Sequence, residues 1–209
     1  TNMDECKSRF LNYKNQKLKY KFPNSFTGKI KKGSYKKNII AAVIREKGIN
    51  SEREMAYMLH LSGFEVKDVH MTDLVSGKEN LENVNMVVFP GGFSNSDVLG
   101  SAKGWAGAFK YNEKAKKAIN QFYSRSNKLS LGVCNGCQLI MELNLIDKNL
   151  NGNHKKIEHN NSKKFECTFS GIDILESNSV MLENLSGSTL GIWSAHGEGK
   201  FNLKGADVN

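Results

Sequence analysis

The chain has 209 residues, enough for one well-buried domain and too few for a multi-domain machine. Hydrophobic residues make up 39%, and 19 glycines bring the apolar share into the range of folded domains, which excludes disorder throughout. The formal charge of +9 sits wholly in residues 1–37, which hold eleven Lys and Arg against Asp4 and Glu5, while residues 38–209 carry nineteen of each sign. A neutral body with a basic arm offers no continuous basic face to a phosphate backbone, so no nucleic-acid partner is expected. No apolar run approaches the ~18 residues of a membrane span and no signal-peptide order opens the chain, so no membrane partner is expected and the chain reads as cytoplasmic. The cysteines, Cys6, Cys134, Cys137 and Cys167, are sparse and irregularly spaced. Reduced thiols are expected.

Residues 1–37, rich in Lys and Asn, read as a basic linker or arm. From Asn38 the pattern changes, which places a domain boundary near Lys37 and a single domain over 38–209. Asn38 to Ile44 is a continuous apolar run suited to a strand buried on both faces of a parallel sheet. Ser51 to Leu61 follows with helical spacing, Ser51 as N-cap and Glu54 three residues on, closing at Gly63. Phe64 to Val69 and Val84 to Phe89 read as strands, the second ending in Pro90-Gly91-Gly92. Two helical stretches lie within Val98 to Tyr123, a strand spans Leu129 to Val133, and a helix runs from Asn135 to about Leu143. This alternation predicts an α/β fold with a doubly wound, mostly parallel open sheet, flavodoxin-like in kind. Asn149 to Lys164 is polar and reads as a surface loop. Phe165 to Leu175, Thr189 to Ser194 and Lys200 to Leu203 read as short antiparallel additions near the C-terminus.

Ligands of such sheets bind beyond the carboxyl ends of the strands, which directs attention to Arg45–Asn50, Pro90–Ser94 and Cys134–Gln138. Gly132-Val133-Cys134-Asn135-Gly136 is a G-x-C-x-G, the thiol counterpart of the nucleophile elbow. Glycines two before and two after let the chain pass close on both sides of a strained turn. A cysteine at a helix N-terminus faces unpaired N–H groups and the positive end of the dipole, which favours thiolate. The Asn135 amide would point at an oxyanion on the attacked carbonyl, with the Gly91-Gly92 turn a candidate for the second donor. Two other readings stay open: Cys134 and Cys137 as a redox C-x-x-C, or as half of a zinc site completed by Cys167 and one of His154, His159 or His196. No second metal-type pair is present, so no metal is expected, and Cys137 reads most simply as a small buried hydrophobe. His196-Gly197-Glu198 would point an imidazole and a carboxylate to one side of a strand, as a base and its orienter, or line a site from a bent loop. His60 and His70 read as structural, and Trp105 and Trp193 as core or interface.

Several runs resemble one known family. They are Arg45 to Ser51, Asp68 to Leu74, Gly91-Gly92-Phe93-Ser94 with Asp97 to Gly100 and Gly104-Trp105-Ala106, Gly132 to Gln138, and Ala195-His196-Gly197-Glu198-Gly199. Together they resemble the glutaminase domain, of the class I glutamine amidotransferase kind, of the phosphoribosylformylglycinamidine synthases, in their large single-chain form. The resemblance covers nearly all of 38–203. It implies that Cys134 attacks the carboxamide of glutamine, that ammonia leaves, and that water hydrolyses the thioester to glutamate. The ammonia would feed an ATP-dependent synthesis of formylglycinamidine ribonucleotide in purine biosynthesis. The implied partners are glutamine and a synthetase domain of the same polypeptide, which would hold ATP and Mg; no cofactor is implied in this chain, and the arm would be the connector from the preceding domain.

By the same resemblance, the Gly92 and Asn135 amides form the oxyanion hole, and Phe93, Ser94, Gln138 and His196 line the glutamine pocket. The family takes its triad His and Glu from a His-Pro-Glu motif after a late strand, which the 209 residues lack. The expectation is therefore a domain incomplete at its C-terminus and impaired in isolation, with Glu198 left uncertain. Asn95-Ser96 stands where the family has Tyr-Gly. The competing readings are a thiol hydrolase of the same fold and a non-catalytic interaction domain.

Overall fold

Helix α1 spans Met3–Leu11, inside the segment expected to be a linker, and carries Asp4 and Glu5 in its first turn, where carboxylates face the positive helix end. The structure, a computed structural model, describes residues 2–11, 19–24, 26–27, 29, 39–146 and 156–202. These divide into two units, one within 1–29 and 164–197, the other within 30–163 and 198–209, a division that does not run along the expected boundary near Lys37.

In the larger unit, β1 (Ile40–Arg45) is followed by α2 (Glu52–Leu61), β2 (Glu65–His70), α3 (Met71–Ser76) and β3 (Met86–Phe89). A 3₁₀ turn (Ser94–Asp97), α4 (Lys103–Tyr111), α5 (Glu113–Tyr123), β4 (Leu129–Gly132) and α6 (Asn135–Glu142) complete the core. The four strands are parallel and ordered β2-β1-β3-β4, the doubly wound α/β sheet expected from the sequence. Alternation of side chains across β1 explains its burial: Ala42 and Ile44 join the cluster of α3, α4, α5 and α6, while Ala41 and Val43 face Leu59 of α2. The order reverses between β1 and β3, so the loops leaving their carboxyl ends border the crevice where such sheets bind ligands. These two loops pair, Ile49 bridging Gly92.

Several local expectations need correction. Ser51 occupies the N-cap position of α2 with φ 64° and makes no side-chain cap, because capping needs the extended conformation that its left-handed backbone denies. Helix α3 has no counterpart in the expected elements; it is capped by His70, which accepts from the Thr72 N–H at 3.2 Å. The expected loop Asn149–Lys164 contains β5 (Lys156–Glu158), while 149–155 lie outside the described residues.

In the smaller unit, β6 (Glu166–Asp173) and β7 (Thr189–His196) form an antiparallel pair, with a 3₁₀ turn at Glu183–Leu185 between them. Lys21, from the expected arm, exchanges both backbone bonds with Thr189, at 3.1 and 2.8 Å. Strand β8 (Lys200–Asn202) belongs to the larger unit and pairs antiparallel with β5. Trp105 is fully buried in the core of the larger unit, whereas Trp193 is exposed on β7. Among the described residues, no helix is long and apolar enough to cross a membrane.

Candidate active site

Cys134 sits between β4 and α6 with φ 53° and ψ −113°, a strained conformation at the head of the helix. The flanking glycines are there because nothing larger fits. A β-carbon on Gly136 would stand 1.9 Å from the Phe89 carbonyl oxygen, and one on Gly132 would stand 2.5 Å from Ile140 Cδ1. The elbow is tied to β3 by the Val133 N–H donating to Phe89 O at 3.0 Å, and the Gln138 N–H reaches back to Cys134 O at 3.1 Å. Cys134 is exposed and carries a free thiol.

The β3 loop approaches the same sulfur. A β-carbon on Gly91 would lie 3.6 Å from Cys134 Sγ, and Gly92, at φ 132°, backs onto Gly48, Ile49 and Asn50. Asn50 donates its N–H to Gly91 O at 2.9 Å, and Phe93 donates to Gly48 O at 2.8 Å. Among the described residues, nothing accepts from the backbone amides of Gly92 or Asn135. Two amides on loops beside a presented thiol can both serve a developing oxyanion.

The remaining expected site residues divide. Ser94 is fully buried, and its N–H donates to Asn135 Oδ1 at 3.1 Å. Phe93 is 65% exposed. Gln138 is half-buried: its Oε1 accepts from Asn135 Nδ2 at 3.0 Å, and its Nε2 donates to Glu198 O at 2.9 Å. His196 ends β7 in the smaller unit, with Nε2 2.8 Å from Ser194 Oγ. Glu198 lies in the larger unit with its carboxylate 3.5 Å from His159 Nδ1. Burial pushes the Cys137 thiol up, and the neighbouring Cys134 adds to this, which fits its reading as a small buried hydrophobe better than as a redox partner. Cys134, Cys137 and Cys167 are free thiols. Among the described residues, no three His, Cys, Asp or Glu side chains gather to hold a metal; His154 lies outside them.

The sequence reading missed two participants. One is the side chain of Asn135, and the other is Asp97, whose carboxylate takes the Asn135 amide at 3.1 Å. They are 38 residues apart, and no local spacing signals the pair.

The sequence model of the CobB/CobQ-like glutamine amidotransferase domain matches residues 38–209. The chain belongs to that family. Within it, relatives carry one recurring description. A probable phosphoribosylformylglycinamidine synthase, chloroplastic/mitochondrial, of Arabidopsis thaliana is 44% identical over 164 residues, covering 76% of this chain and 12% of its own length. The phosphoribosylformylglycinamidine synthase of Drosophila melanogaster is 37% identical over 204 residues, 96% of this chain and 15% of its own. The chain thus spans a small fraction of the curated relatives it matches. A solved chain titled as the structure of PurLQS from Thermotoga maritima superposes with a TM-score of 0.65 at 24% identity, over 82% of this chain and 72% of that one. That likeness supports the fold of this amidotransferase domain.

Proposed function

We propose that this chain is the glutaminase part of a phosphoribosylformylglycinamidine synthase, hydrolysing glutamine to glutamate and supplying ammonia to the ATP-dependent formation of formylglycinamidine ribonucleotide in purine biosynthesis. The observation that carries this reading is Cys134 itself: an exposed thiol at a strained turn, between two glycines that admit no side chain, beside two unspent backbone amides. The Cys134 sulfur adds to the glutamine carboxamide carbon, forming a C–S bond, and the oxygen takes the charge against the Gly92 and Asn135 N–H groups. The C–N bond then breaks, ammonia leaves with the proton it gains, and water cleaves the thioester to glutamate and the free thiol. The thiol proton needs an acceptor. The resemblance assigns it to a His-Pro-Glu motif that these 209 residues do not contain, and His196 and Glu198 are not proposed for it.

In this reading Ser94, Phe93 and Gln138 contribute to the glutamine pocket, and His196 is added to them only on the resemblance. ATP and Mg belong to the synthetase portion, and no step of this chain runs through them. The cytoplasm is the proposed compartment, since the nucleophile must stay reduced. The test is a chloroketone analogue of glutamine applied to the full-length protein, followed by peptide mapping. Labelling is expected on Cys134, with Cys137 and Cys167 spared, and Cys134→Ala is expected to lower glutamine-dependent turnover by at least about 10⁴-fold while ammonia-dependent turnover survives. An adduct mapped elsewhere, or a Cys134→Ala protein that still releases glutamate from glutamine, overturns the reading.

A further inference from the structure

The turn after Ser94 is built from residues in a conformation that side chains disfavour. Asn95, Ser96 and Asp97 have φ of 52°, 56° and 48°, left-handed values that glycine adopts freely, that Asn and Asp tolerate best among the other residues, and that cost Ser96 most. Such a turn persists only where its surroundings over-determine it. Asn95 donates its N–H to Lys47 O at 2.7 Å, and Ser96 donates to Phe93 O at 2.9 Å. The Asp97 carboxylate takes the Ala102 N–H at 3.1 Å and the Asn135 side-chain amide at 3.1 and 3.3 Å.

Asn135 directly follows the nucleophile and is 1% exposed. Its side-chain amide has one productive orientation. The Ser94 N–H is a donor and must meet Oδ1; the Asp97 carboxylate is an acceptor and must meet Nδ2. The second amide hydrogen goes to Gln138 Oε1 at 3.0 Å, so a buried side chain has its polar atoms matched on each side. The carboxylate thereby fixes which way the Asn135 amide faces, and with it the peptide whose N–H lies at the nucleophile.

We infer that Asp97 is a positioning residue for glutamine hydrolysis, acting through the Asn135 side chain to hold the Asn135 backbone amide and the Ser94 turn in register with Cys134. The inference rests on the glutaminase reading above. Asp97 acts on geometry at the oxyanion and not on the sulfur, so its removal slows chemistry at a carbonyl and spares chemistry that builds no oxyanion.

The experiment is Asp97→Asn in the full-length protein, which replaces one acceptor oxygen by a donor at nearly constant shape. The expected kcat for glutamine hydrolysis falls about 10- to 100-fold, less than the ~10²–10³ lost with an oxyanion donor itself, and KM stays within about threefold. Alkylation of Cys134 by iodoacetamide, a displacement at a tetrahedral carbon, is expected to keep its rate. The same pair of measurements is made with Asp97→Asn in a Ser96→Gly background, where glycine removes the strain at φ 56°. The drop in kcat relative to Ser96→Gly alone is expected to persist. Unchanged kcat, a drop that vanishes in the glycine background, or alkylation that falls in parallel with kcat each overturns the inference and assigns Asp97 a purely structural part. A wild-type protein that releases no glutamate from glutamine instead overturns the glutaminase reading, and this inference with it.

Discussion

Ser94 is fully buried, yet among the described residues its hydroxyl has no hydrogen-bond partner. A buried hydroxyl left unpaired costs about 1–3 kcal/mol, so its removal should not weaken the fold. Ser94→Ala is expected to leave the unfolding midpoint unchanged or raise it, measured without glutamine, while kcat/KM for glutamine falls, since the hydroxyl is read as belonging to the substrate pocket. A lowered midpoint would mean that the hydroxyl serves the protein; unchanged kinetics would remove Ser94 from the pocket. Legibility at this scale follows how closely the residues that signal a site stand in the sequence. The position of Cys134 was readable because the thiol and both glycines fall within residues 132–136, even though the Phe89 carbonyl that excludes a side chain at Gly136 comes from another strand. Asp97 and Asn135 meet only after folding.

Among the elements, those dictated by burial were legible and those dictated by end chemistry were not. The runs of β1, as far as Ile44, and of β3 are apolar because both faces are covered, and they announce themselves. Helix α3 is announced by nothing: its cap is a histidine imidazole, outside the usual set of capping side chains, although Asp73 completes the box by accepting from the His70 N–H at 3.3 Å. Ser51 shows the converse, a capping residue type in a conformation that cannot cap. Glycine marks the same distinction within helices. Gly136 in α6 packs against the β3 backbone, whereas a β-carbon on Gly107 in α4 would meet only Tyr111 Cδ2, at 3.8 Å. Gly107→Ala is therefore expected to stabilise by about 0.5–1 kcal/mol, the ordinary helix preference. Gly136→Ala forces α6 away from β3 and is expected to cost more than about 4 kcal/mol or prevent folding. Denaturant unfolding of both variants decides the matter, and equal effects of the same sign would show that the close approach at Gly136 is not a constraint.

For the larger unit as a whole, the sheet is unequally covered, and the heavier face supports the site. Trp105 packs edge-on against Phe89, with centroids 5.8 Å apart, and Phe89 meets Phe109 in the same manner at 6.3 Å. Phe89 ends β3 immediately before Pro90-Gly91-Gly92, and its carbonyl receives the Val133 N–H, so one core residue carries both loops that approach Cys134. Trp105→Ala is expected to cost about 3–5 kcal/mol in transfer and cavity terms. Because the cavity opens beside Phe89, kcat for glutamine should also fall, through lost register between the two loops. On the opposite face, Tyr57 of α2 is 62% exposed, and Tyr57→Ala should change stability by no more than about 0.5 kcal/mol. The indole N–H of Trp105 has no acceptor among the described residues. Trp105→Phe thus removes an unsatisfied donor while keeping most of the ring, and its cost should stay within about 1.5 kcal/mol with turnover retained. Denaturant midpoints and glutamine kinetics on the three variants test the coupling. A Trp105→Ala protein that loses stability and keeps full turnover would show that the loops hold their geometry independently of the core beneath them.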